Sequence, residues 1–201
     1  MGTATRTVIR TLAAMFVPLA VFAQAPPGPV RGTIVALDKD TLTLRSTDGK
    51  IKTIQLASDW TVTVLKPVDI DAIQPGSFIG TAEMPRENST GRSLEVHVFP
   101  PGVKAGEGHY AWDLRKGSMM TNGTVGKVTA SAKERELLVT YPTGERRIVV
   151  PKGVPVVQFT KGDRALIKPG IPAFLVIAAT PSGTLASRGI VIGVNGAKPP
   201  M

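Results

Sequence analysis

With 201 residues, 42% of them hydrophobic and 19% charged, the chain is long enough for one or two packed domains and too apolar for general disorder. It contains 0 Cys, which excludes disulfide frameworks, thiolate metal sites, cysteine nucleophiles and a lipid anchor on a new N-terminal cysteine. The formal net charge of +9 is uneven: residues 30–100 hold 8 basic and 9 acidic side chains, residues 101–120 hold 3 and 2, and residues 121–201 hold 11 and 4.

Residues 1–23 have the three-part layout of a cleaved secretory signal. Arg6 and Arg10 supply the positive start, Thr11 to Val21 is almost wholly apolar, and Val21-Phe22-Ala23 offers a cleavage site before Gln24. The apolar run is short for a bilayer span of roughly 20 residues, and no other segment is long and apolar enough to cross. A periplasmic protein is therefore expected, with no transmembrane span after cleavage. The exported chain keeps 22 basic and 15 acidic residues, a net charge of +7. An excess confined to its second half fits an anionic envelope component as partner. The plainer reading of the same excess is a solvated basic surface that aids solubility.

Residues 24–29 read as a Pro-rich linker. Short β runs follow: Thr33 to Leu37, Thr41 to Arg45, Ile51 to Leu56, Trp60 to Leu65, Phe78 to Met84 and Ser93 to Phe99. Asp48-Gly49 marks a hairpin turn, and Lys66 to Gly76 reads as a helical turn or loop. In Ser93 to Phe99 the alternation puts Leu94, Val96 and Val98 on one face and Ser93, Glu95, His97 and Phe99 on the other.

The same order then recurs. Gly32-Thr33-Ile34 matches Gly123-Thr124-Val125, and Ile73-Gln74-Pro75-Gly76 matches Ile167-Lys168-Pro169-Gly170. This reads as an internal duplication. The expected fold class is all-β: two tandem small β-barrel (OB-like) modules, residues 30–100 and 121–201, joined by an irregular connector over 101–120. Closure would remove the exposed edges of such short sheets.

The paired modules, the Ile-x-Pro-Gly turns and the connector Gly106-Glu107-Gly108-His109-Tyr110-Ala111-Trp112-Asp113-Leu114 resemble a group of small exported proteobacterial proteins of unknown function. Their modules resemble a domain of unknown function with OB-like character. Some members carry the label "metal ABC transporter permease", which does not fit this chain, since a permease needs several membrane spans. The resemblance implies a fold and a compartment and supplies no site residues.

The connector concentrates unusual chemistry. It holds Glu107, His109, Tyr110, Trp112, Asp113, Met119 and Met120, and His97 lies on the strand before it. A metal site would use His97, His109, Met119, Met120 and Glu107, because imidazole suits copper and zinc and thioethers select Cu(I). No ligand spacing supports it, so these groups would have to converge through folding. The alternative is that Trp112 and Leu114 tuck between the modules while His109 and Asp113 cap turns and His97 sits on a strand's outer face. Tyr110, Trp112 and Asp113, with Arg135, Arg147, Lys152 and Lys161 of the basic second module, form the candidate ligand or interface set.

Catalysis finds no support. There is no Gly-x-Ser-x-Gly elbow and no phosphate-cradling loop. Nucleic acid is not expected, because aromatics are only 5% and Arg146 and Arg147, neighbours on a strand, point to opposite faces. The expected function is a non-catalytic binding or accessory protein of the envelope, acting on an anionic component or another periplasmic protein. The alternatives are a copper- or zinc-binding protein and a structural envelope protein without a small ligand.

Overall fold

Short runs of β-branched residues punctuated by Gly and Pro build strands that pair across long stretches of sequence. In the computed structural model, which describes residues 28–199, the chain is all-β. The expected signal segment lies outside the described residues. The strands are β1 (Gly28–Asp38), β2 (Thr41–Ser46), β3 (Ile51–Pro67), β4 (Phe78–Arg86), β5 (Thr90–Val98) and β6 (Gly108–Ala111). They continue with β7 (Met119–Ala130), β8 (Glu134–Tyr141), β9 (Gly144–Pro151), β10 (Val156–Gly162), β11 (Pro172–Ala179) and β12 (Leu185–Gly193). The two runs expected at 51–56 and 60–65 are one strand. β12 follows it with a register shift, pairing Ser187 with Leu56 and then Gly189 with Thr61, so residues 57–60 bulge without ending the strand.

Five strands close into a barrel. β1 pairs with β2, β2 with β3, β3 with β12 in parallel, β12 with β11, and β11 back to β1. A second circuit of pairings has the same order and directions: β7, β8, β9, then β5 in parallel, β4, and β7 again. Neither ring respects the bounds 30–100 and 121–201. Each takes three strands from its own half and two from the other.

The path of β3 explains the crossing. This 17-residue strand runs through the first ring and on along β10, with Val62 opposite Gly162 and Pro67 opposite Val157. β10 in turn lies parallel to β5. The chain therefore leaves β3 already beside the second ring, and β4 and β5 complete that ring.

Matching turns precede the two strand pairs that cross between halves. Asp69 and Asp163 each cap a three-residue 3-10 turn, accepting from the backbone N–H two residues on at 2.8 and 2.7 Å. Gly76 and Gly170 follow, both at φ 87°. Gly76 N–H donates to Val125 in β7 at 2.7 Å, and Gly170 N–H to Ile34 in β1 at 2.8 Å. Each turn thus fastens to the first strand of the opposite half.

Apolar side chains fill both rings. Leu42, Leu44, Ile54, Trp60, Leu175 and Ile190 pack in the first, and Ile79, Val96, Val125, Leu137, Val139 and Ile148 in the second. A third cluster, Leu65, Val157 and Phe174 with Trp112, Phe159 and Val191 against it, lies on the sheet face between them.

Candidate functional site

The connector is a strap across that face. Its strand β6 pairs with β7, which places Tyr110 opposite Met120 and His109 opposite Thr121. Asn122 of β7 donates its amide to the Ala105 and Gly106 carbonyls, at 3.2 and 2.9 Å, and to the Tyr110 hydroxyl at 3.1 Å. At the other end Arg31 of β1 grips Asp113 with two bonds of 3.0 and 2.9 Å. The same guanidinium stacks 5.8 Å from Trp112 and 5.5 Å from Phe174. Arg31 and Asn122 hold matching places, each one residue before the glycine of its ring, Gly32 or Gly123. Tyr110, Trp112 and Asp113 of the connector therefore serve to fasten it down.

The expected metal ligands fall into two sets. Across β5, β4, β7 and β6, His97 stands opposite Gly80, Gly80 opposite Asn122, and Asn122 opposite Gly108. His109 is one residue further, so it points to the other face, three strand spacings or roughly 14 Å away. Met120 shares the face of His97, and Met119 shares that of His109. Glu107 is exposed. Among the described residues no group of three His, Cys, Asp or Glu side chains forms a metal-holding arrangement.

His97 is not on an exposed outer face. It is 3% exposed, because β10 runs beside β5 and brings Phe159 to 5.0 Å from the imidazole, with Phe99 at 5.3 Å. Its Nδ1 lies 3.2 Å from Glu95 Oε1, which also accepts from the Ala82 N–H at 3.0 Å. A side chain at Gly80 would run into His97 Nε2 and Asn122 Oδ1, so the missing Cβ is what admits the ring.

Sequence reasoning missed the most polar interior of the molecule. One end of the second ring holds Thr81, Glu83, Ser93, Thr121 and Arg146, all buried. Arg146 pairs with Glu83 Oε1 and donates to the Thr90 carbonyl at 3.0 Å. Thr121 donates to Glu83 at 3.3 Å and meets His109 Nδ1 at 2.9 Å. Burial pushes the Glu83 carboxyl up, against the pull of Arg146 and Thr121. Burial and the Arg146 charge push the His109 imidazole down. Glu83 Oε2 has no partner, and it occupies the space that a Cβ at Gly91 would take.

The first ring is apolar where the second has Thr121, Thr81 and Glu83. Thr121 opposite Thr81 corresponds to Val30 opposite Leu175, two residues before Gly123 and Gly32. Glu83 corresponds to Ile177, and Arg146, which faces Val139, to Lys52, which faces Leu44. The sequence alone set Gly80-Thr81-Ala82 against Ile177-Ala178-Ala179, and the pairings shift this. The offset from Ile73 to Ile167, carried forward unchanged, is the signal that sets Thr81 against Leu175 and Glu83 against Ile177.

The basic residues do not share a face. Arg135 pairs with Asp71 and sits opposite the buried Val150. Arg147 sits opposite Leu138 and pairs with Glu136 at 3.4 Å. Arg146 is buried while its neighbour Arg147 is exposed, as strand alternation requires. Lys152 lies in a surface recess beside Arg135. Lys161 alone lines a sizeable concavity.

That concavity is an apolar trough. Phe174, Val191, Thr63 and Lys161 form a row across β11, β12, β3 and β10. Two cavities of about 630 and 440 Å³ meet along it, sharing Thr63 and Val191 as walls. The larger opens where β11 and β12 part between Phe174 and Ala178. The smaller runs beneath the connector at Phe99, Val103 and Phe159. Val176 and Val103, at opposite ends, are 53% and 45% exposed. No helix among the described residues is long and apolar enough to cross a membrane. No family model matches the chain, and no curated protein or solved structure matches it.

Proposed function

We propose that this is an exported, non-catalytic binding protein of the cell envelope. Its two rings are OB-like barrels, products of one duplicated module, that have exchanged their last two strands. The matching strand orders, turns and caps of the two halves support the duplication. The observation that carries the binding reading is the trough: a concave, largely apolar surface of this volume with a few polar groups is the usual form of a ligand site. Exposed Val103 and Val176 at its ends favour an apolar occupant. The buried acids support a non-catalytic role, because Glu83 is held by Arg146 and Glu95 by His97 and a backbone N–H.

The test is titration of residues 24–201 with the neutral dye Nile red. Saturable binding is expected, weakened several-fold by Val176→Asp and by Val103→Asp. Both sites are exposed, so neither variant disturbs the core. Absence of saturable binding, or indifference to both variants, overturns the reading.

A further inference from the structure

The trough is long and walled mainly by side chains without charge. Its row of four residues crosses three strand spacings, roughly 14 Å, and the exposed valines extend it at either end. An elongated apolar floor of this kind suits a flexible hydrocarbon chain better than a compact ring system.

Two cations stand in its walls. Arg188, beside the larger cavity, is engaged by Asp59 at 3.0 Å. Lys161, beside the smaller one, has no carboxylate within ion-pair distance among the described residues. The Thr160 hydroxyl next to it is turned to the Val64 carbonyl at 3.3 Å. Among the described residues that line the smaller cavity, Lys161 is the one charged side chain. A free ammonium in the wall of an apolar trough complements an anionic head attached to an apolar tail.

We propose that the trough binds a single-chain anionic amphiphile, a fatty carboxylate, with its hydrocarbon chain along Phe159, Thr63, Val191 and Val176 and its head paired to Lys161. This rests on the reading of the trough as a ligand site and assigns the chemical class of the ligand. The head stays near solvent, so the ion pair sets which amphiphile is preferred, while apolar burial supplies most of the affinity.

The experiment measures displacement of Nile red from residues 24–201 by dodecanoate and by the neutral dodecyl maltoside, both below their micelle concentrations. The expected result is preference for dodecanoate. Lys161→Glu should weaken dodecanoate at least about threefold, the size of an exposed ion pair lost and a repulsion added, and leave dodecyl maltoside unchanged. Lys161→Gln should fall between. Equal displacement by both amphiphiles, indifferent to Lys161→Glu, overturns the anionic assignment and leaves the trough as a site. Failure of both amphiphiles and of the dye overturns the trough itself.

Discussion

The Glu83–Arg146 pair can be taken apart quantitatively. Glu83 is 0% exposed, and one of its oxygens already lacks a partner. Arg146→Met would leave a buried carboxylate with only the Thr121 hydroxyl, and the Thr90 carbonyl would lose its donor. Breaking one side of a buried pair costs about 3–5 kcal/mol, a large share of a domain's total of about 5–15 kcal/mol. Glu83→Ile strands the guanidinium and should cost a similar amount. The double variant puts an isoleucine where the first ring has Ile177. It should recover most of the loss, because two apolar side chains leave no charge to desolvate. Urea unfolding followed by circular dichroism measures all three. The cost of Arg146→Met should also shrink as pH falls, since an unpaired buried carboxyl takes a proton. Single losses below about 1 kcal/mol, or a double variant as unstable as the two losses added, would refute the reasoning.

His109 gives a pH dependence of definite sign. Its folded-state pKa lies below the unfolded value of about 6.5, so its contribution is present above that pH and lost as pH falls below it. Glu83 acts oppositely: its raised pKa adds stability as pH falls toward it. His109→Gln keeps a donor for Thr121 and should flatten the loss of stability between about pH 7 and 5, read as urea midpoints at several pH values. The shared strands predict coupled unfolding. Leu175→Ala in the first ring should cost about 2–5 kcal/mol and lower amide protection equally in β2 and β8, measured by hydrogen exchange. Unchanged protection of Val139 in β8 would show that the rings open independently.

The sequence by itself determined the all-β class and the strands of the first half. Alternation marked β1 to β5 within about five residues, with β3 read as two runs, Asp48-Gly49 marked its turn, and the two Ile-x-Pro-Gly motifs marked the matching corners, while β6 lay in a connector read as irregular. It also separated Arg146 from Arg147, because strand period is local. Partnership between strands was not legible. Alternation says which face a residue occupies, not which strand lies beside it, so the bounds 30–100 and 121–201 gave no hint that β4 and β5 complete the other ring. The same gap misplaced His97: its neighbours on β5 describe a half-exposed strand, and the arrival of β10 with Phe159 buries it. His109 and His97 looked close because they are 12 residues apart, yet pairing sets two strands between them and turns them to opposite faces. The trough has no sequence signature at all. It draws on β3, β10, β11, β12 and the connector, and it exists only because the tertiary fold brings those strands to one face.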